Sequence, residues 1–217
     1  MPLVKICGIT NEDDALYSAR SGADILGLIL YEKSPRFVSP ERAAEIASRC
    51  REELKVLPLF AGVFVNARVS FVVKAAAGIG LDFIQLHGDE DHQYLEDLMD
   101  SLGKAGLFTV KIVRAFRVKD RSDVEAAAEY PSDYFLLDTF SERDYGGTGK
   151  SFDWDILHDF SGSDRLFLAG GISAQNVLHA IRSVSPYAID LSSSLEESRG
   201  KKDKKKIDAF FRVLRNS

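Results

Sequence analysis

The sequence predicts an α/β fold: a single (β/α)8 barrel over residues 1–217, with eight parallel strands inside a layer of helices. Three observations lead there. Short apolar runs, several of them β-branched, alternate with longer amphipathic segments. The alternation repeats eight times without a break, at roughly 27 residues per unit, which leaves room only for short loops. No G-x-G-x-x-G follows the first strand, which weakens an open dinucleotide-binding sheet. Strands that alternate with helices pair in parallel through right-handed crossovers. Eight such units favour a closed barrel over an open doubly wound sheet.

The first strand is the short β-branched run 3–7, followed by a helix over 11–21 with polar start signals. Residues 24–30 are apolar enough for a strand buried on both faces. A proline-containing loop leads to a helix from Pro40, where proline suits the first turn. Strands at 57–65, 82–86 and 108–113 then alternate with helices at 68–77, 90–102 and 122–129. The sixth strand is 134–137. A long loop over 139–151 leads to a short helix at 154–158. The seventh unit is a strand at 166–169 and a helix at 173–183 that opens on Ser173, a good N-cap residue. A strand at 187–191 and a helix at 204–214 complete the eight.

Composition narrows the function classes. Hydrophobic residues make up 45% and charged residues 28%, the balance of a soluble globular chain rather than a disordered one. The net charge of -5 does not favour a duplex-binding protein, so no nucleic-acid partner is expected. No run approaches the ~18 apolar residues of a membrane span. Two cysteines, Cys7 and Cys50, are too few for a disulfide framework. These features point to a reduced, cytoplasmic protein, with monomer and homodimer both open.

A barrel places its chemistry at the carboxyl ends of the strands. Cys7 ends the first strand. Alternation puts Lys5 and Cys7 on the inward face, and Val4 and Ile6 against the helices. A thiol acting as nucleophile or base there needs a lowered pKa, which Lys5 would assist. The alternative for Cys7 is a small buried core thiol. Asp138 ends the sixth strand and faces the same mouth, far from the next helix start, so it is a poor cap and a good acid or base. Gly170 and Gly171 end the seventh strand before a helix, and Ser192, Ser193 and Ser194 follow the eighth. Together these two loops suit a phosphate site. Gly146, Gly147 and Gly149 suit a lid, or else a plain surface loop. Arg36, after the second strand, can make a forked contact to a carboxylate or phosphate. Asp190 can bind a sugar hydroxyl, and Gln85 and His87 end the fourth strand near the pocket. The four histidines show no metal-ligand spacing, so no metal is expected. Cys50 reads as structural. Lys201, Lys202, Lys204, Lys205 and Lys206 read as a solvated face whose field draws in anions.

Lys5-Ile6-Cys7-Gly8-Ile9 resembles the opening of the phosphoribosylanthranilate isomerase family of tryptophan biosynthesis. Ser34-Pro35-Arg36, Gln85-Leu86-His87-Gly88 and Leu137-Asp138-Thr139 are similar to its later motifs. So are Gly146-Gly147-Thr148-Gly149-Lys150 with Phe152-Asp153-Trp154, Ala169-Gly170-Gly171-Ile172 with Asn176-Val177, and Gly200-Lys201-Lys202-Asp203. Each match is weak alone. In order from residue 3 to 203 they are specific.

The resemblance implies a (β/α)8 barrel that performs an Amadori rearrangement on a phosphorylated small molecule, with no metal or organic cofactor. It implies Cys7 as general base, Asp138 as general acid and Arg36 as holder of the anthranilate carboxylate. Gly170, Gly171, Ser193 and Ser194 would hold phosphate, and Asp190 would lie near the reacting sugar carbons. The family carries Ser-Ser-Gly where this chain has Ser192-Ser193-Ser194. Ser194 therefore either strains that loop or adds a hydroxyl donor. Two other readings stand beside this one: a barrel that binds a sugar phosphate without turnover, and another phosphate-binding barrel such as an aldolase or epimerase. The related histidine-pathway isomerase has an aspartate at the Cys7 position.

Overall fold

The computed structural model describes residues 1–139, 154–157, 160 and 162–216. Its eight barrel strands are β1 (Leu3–Cys7), β2 (Ile25–Ile29), β3 (Leu59–Phe64), β4 (Phe83–Leu86), β5 (Lys111–Val118), β6 (Tyr134–Thr139), β7 (Leu166–Leu168) and β8 (Ala188–Leu191). They pair in parallel in sequence order, and β8 pairs with β1 to close the barrel. The helices are α1 (Glu12–Ser21), α2 (Pro40–Glu53), α3 (Val69–Ile79), α4 (His92–Lys104), α5 (Arg121–Glu129), α6 (Val177–Val184) and α7 (Lys204–Arg215). Between β6 and β7 the described residues form two 3₁₀ turns, Trp154–Leu157 and Ser163–Arg165. An antiparallel hairpin, β9 (Glu196–Ser198) and β10 (Lys201–Lys202), follows β8 and was not expected from the sequence.

Local chemistry explains the element starts. Asn11, Ser39 and Asp91 each accept a backbone N–H in the first turn of their helices. Asp120 and Asp123 form a reciprocal capping box on α5. A second device ties strands in pairs. Asp24, just before β2, accepts from Val4 N at 2.8 Å, Asp82 accepts from Phe60 N at 2.8 Å, and Asp133 accepts from Ile112 N at 2.9 Å. Each aspartate sits at the amino end of an even strand and holds the first residues of the strand before it.

Strand alternation separates two cores. Val4, Ile6, Leu26, Leu28, Phe64 and Ile84 pack outward with the helices. Ile25, Ala61, Phe83, Val113, Leu136, Phe167 and Ala188 fill the barrel itself. Phe83, Tyr134, Phe167 and Tyr187 contact one another edge-on or tilted and plug its amino end.

Two boundaries differ from expectation. The fifth strand runs from Lys111 to Val118, not over 108–113. Phe108 is 78% exposed in the turn before it, and Arg114 and Arg117 hide the strand's continuation from an apolar pattern. Helix α6 begins at Val177, not at Ser173. Residues 174–176 form a turn that leads into the helix: Ser173 O accepts from Asn176 N at 3.2 Å and Val177 N at 3.0 Å, and Ser173 N donates to Asn176 Oδ1 at 2.8 Å.

Candidate active site

The carboxyl ends of the strands open on a cavity of about 880 Å³, a size suited to a small-molecule ligand. Cys7, Arg36, Asp138, Gly170, Gly171, Asp190, Ser193 and Ser194 all line it. The sequence-derived set is therefore brought together, with Gln85, His87, Lys33 and Arg199 beside it. Gly146, Gly147, Gly149, Phe152, Asp153 and His158 lie outside the described residues. Among the described residues no cluster of three His, Cys, Asp or Glu side chains could hold a metal ion. No helix among them is long and apolar enough to cross a membrane.

Lys5 is 1% exposed in the barrel interior, one inward layer below Cys7. Its Nζ donates to Gln85 Oε1 on β4, across the barrel interior, at 2.7 Å and to Asp190 Oδ2 on the neighbouring strand β8 at 2.8 Å. Burial opposes the Lys5 charge, but Asp190 and Cys7 outweigh it and hold the ammonium above its ordinary pKa. Burial also pushes the Asp190 carboxyl up, against the pull of Lys5. Only one Asp190 oxygen is paired with Lys5. Its Oδ1 is buried without a hydrogen-bond partner.

Gln85 Nε2 lies 2.9 Å from His87 Nδ1. Because Gln85 Oε1 is taken by Lys5, its amide N–H₂ faces the ring. His87 then accepts at Nδ1 and carries its proton on Nε2. Burial, followed by Lys5, Arg117 and Arg114, drives the His87 pKa down to about 4, so the ring is neutral. Buried Glu90 and Arg114 fix the turn after β4. Glu90 accepts from Gly88 N at 2.9 Å and Asn66 N at 2.7 Å, and Arg114 donates to Leu86 O at 3.1 Å and Gly88 O at 3.0 Å.

Cys7 is buried against β2. A Cβ on Gly27 would lie 2.8 Å from Cys7 Sγ, so only glycine fits there. Burial pushes the Cys7 thiol up, assisted by Asp190 and opposed by Lys5 and Lys202. This corrects the expectation of a lowered thiol pKa: desolvation outweighs the two ammonium groups. Asp138 ends β6, with β7 and β8 between it and Cys7 around the barrel. Cys50, by contrast, sits on the buried face of α2 with its thiol raised by burial to about 11, which fits its reading as structural.

Arg36 is not a free surface arginine. Its Nε and Nη2 form a fork on Glu196, at 2.7 and 2.6 Å. Glu196 also accepts from Lys202 Nζ at 3.0 Å. Burial alone would raise the Glu196 pKa, yet Arg36 and Lys202 hold it below the usual carboxylate range. Lys202 is 3% exposed, which corrects its reading as part of a solvated face. Charge composition could not separate it from its neighbours. The only sequence clue was position: Glu196 and Lys202 flank Arg199-Gly200, where a turn pairs them across a hairpin.

Gly170 and Gly171 have φ of 81° and 67°, a backbone suited to glycine. Asn176 Nδ2 donates to Gly171 O at 2.9 Å and braces the turn. Ser194 sits in the 3₁₀ turn Ser193–Leu195. Among the described residues only Asn66 and Ser185 are non-glycine residues with positive φ, so Ser194 does not strain its loop.

Fold and site together define a (β/α)8-barrel enzyme with an acidic and a thiol side chain at the mouth and two glycine- and serine-rich loops at its last strands. The family model for N-(5'-phosphoribosyl)anthranilate (PRA) isomerase matches residues 4–213. An N-(5'-phosphoribosyl)anthranilate isomerase of Citrifermentans bemidjiense is 42% identical over 207 residues, covering 95% of this chain and 94% of that protein. The crystal structure of phosphoribosyl anthranilate isomerase from Thermotoga maritima superposes with a TM-score of 0.84 at 35% identity, over 100% of both chains. A further phosphoribosyl anthranilate isomerase structure, in complex with reduced 1-(o-carboxyphenylamino)-1-deoxyribulose 5-phosphate, has a TM-score of 0.82 at 35% identity, again over 100% of both chains. The chain belongs to the N-(5'-phosphoribosyl)anthranilate isomerase family, isomerases of tryptophan biosynthesis that interconvert an aldose and a ketose.

Proposed function

We propose that this chain converts N-(5-phosphoribosyl)anthranilate to 1-(2-carboxyphenylamino)-1-deoxyribulose 5-phosphate in the cytoplasm, with Cys7 as general base and Asp138 as general acid. One observation carries the reading: the thiol and the carboxyl line a single cavity together with Arg36 and both loops of the phosphate-site pattern. Arg36 receives the anthranilate carboxylate. Gly170, Gly171, Ser193 and Ser194 surround the phosphate, and Asp190 meets the sugar near its reacting carbons with the unpaired Oδ1.

The reaction needs one acid and one base on different sides of the sugar. Asp138 gives its proton to the furanose ring oxygen. The bond from that oxygen to C1 breaks while the nitrogen lone pair forms an iminium. The iminium acidifies the C2 proton, and the Cys7 thiolate takes it. The resulting enolamine tautomerises to the ketone. The iminium is the electron sink, so these side chains suffice for the chemistry. Burial disfavours the thiolate. Lys5 and Lys202 oppose that penalty, and the positive charge that develops on the substrate adds to their effect.

The test is turnover. Purified, reduced protein given N-(5-phosphoribosyl)anthranilate is expected to remove its anthranilate-type fluorescence. No loss of signal over buffer would refute the reading.

A further inference from the structure

We propose that Lys202 and Glu196 are positioning residues of this site: Lys202 fastens the strand end that carries Cys7 and, through Glu196, fixes the Arg36 guanidinium. The proposal rests on the reading of Cys7 as base and Arg36 as carboxylate anchor. Lys202 Nζ donates to Cys7 O at 2.7 Å, to Glu196 Oε1 at 3.0 Å and to Ser192 O at 3.3 Å. Three donors thus meet three acceptors inside the protein. One side chain ties together the end of β1, the loop after β8 and, by way of Glu196, the loop after β2. Its own backbone is held as well, since Lys202 N donates to Asp14 Oδ2 at 2.8 Å.

The fork on Glu196 sets the plane of the Arg36 guanidinium and leaves Nη1 outside it. A planar group fixed in this way loses little freedom when it meets a carboxylate. Charge points the same way. Arg36 and Lys202 carry two positive charges against one on Glu196, so the cluster is net positive beside the thiol. The other charged groups facing the cavity are Lys5 on the strand of Cys7, Asp190 on β8, Asp138 on β6, Lys33 in the loop after β2 and Arg199 in the β9–β10 turn. Lys5 and Asp190 form an ion pair, and Lys202, which holds the carbonyl of Cys7 itself, joins Lys5 in opposing the rise of the thiol pKa.

The experiment combines thiol alkylation with steady-state kinetics. Iodoacetamide modification of the Cys7 peptide is followed against pH in wild type, Lys202→Met and Lys202→Arg, with Cys7→Ala as blank. Lys202→Met is expected to raise the alkylation midpoint by about one pH unit, and Lys202→Arg to restore most of it. Its kcat is expected to fall on the order of 10²-fold as the base is displaced. Glu196→Gln is expected to raise KM on the order of tenfold with little change in kcat, because the loosened Arg36 acts in binding. An unmoved midpoint in folded Lys202→Met, or an unmoved KM in Glu196→Gln, overturns the proposal. If Lys202→Met does not fold, the KM of Glu196→Gln decides it alone. Wild-type turnover with unmoved readouts overturns this proposal only. Absent wild-type turnover overturns the catalytic reading, and the positioning role with it.

Discussion

His87 makes the fold sensitive to acid in a calculable way. Its ring is neutral, held by Gln85, and its pKa is about 4 against an ordinary value of 6.5. Between those values the unfolded chain binds a proton that the folded chain refuses. The stability it contributes is therefore present above pH 6.5 and is lost as pH falls toward 4. At about 1.36 kcal/mol per pH unit, the interval sets a ceiling of about 3.4 kcal/mol. His87 is only partly shielded from water, which screens its charge and lowers the expected value to about 2 kcal/mol. The assay is urea unfolding at a series of pH values from 7 to 4, for wild type and His87→Gln. Carboxylates that titrate in this range act in both proteins and cancel in the difference. Wild type is expected to lose about 2 kcal/mol more than the variant over that range. Parallel stability curves would refute both the neutral ring and the hydrogen-bond chain from Lys5 that holds it.

Two further substitutions test the packing under the site. Gly27→Ala brings a Cβ to 2.8 Å from Cys7 Sγ and 2.9 Å from Cys7 Cα, where backbone cannot yield as a flexible side chain would. It is expected to cost about 1–3 kcal/mol of stability. Turnover should fall on the order of 10²-fold by displacement of the base, and wild-type kinetics in this variant would contradict the close approach. Lys5→Met removes the counter-charge of Asp190 and the donor to Gln85, so chemical denaturation should register a loss of about 3–5 kcal/mol. A loss below about 1 kcal/mol would mean that the buried pair is not ionised.

Much of the barrel was legible because its determinants are local. Alternation in β1 placed Lys5 and Cys7 inward before any partner was known, and Asn11 and Pro40 marked helix starts that the structure keeps. Departures occur where tertiary partners override local pattern. Arg114 broke the apolar run of β5 on the page, yet it lies buried on the outward face against Glu90. The turn from Ser173 to Asn176 moves the start of α6 to Val177, a shift set by backbone geometry that residue types alone do not reveal.

The site divides the same way. Its residues sit at strand ends, which chain order reveals, so the cavity-lining set could be named in advance. Their electrostatics could not. Whether the thiol is raised or lowered depends on burial, on Asp190 and on two lysines, one of them 195 residues away in sequence. Lys202 illustrates the limit. Five lysines in six positions read as one basic run, and only the hairpin turns one of them inward.

The central claim is that Cys7 and Asp138 move the two protons of the rearrangement. Its most direct test is single-turnover fluorescence decay of N-(5-phosphoribosyl)anthranilate with excess enzyme, in wild type, Cys7→Ala and Asp138→Asn. Each variant must retain its circular dichroism. General acid–base roles predict that each substitution slows the decay on the order of 10²–10⁴-fold. A decay at near wild-type rate in either folded variant would contradict the role assigned to that residue.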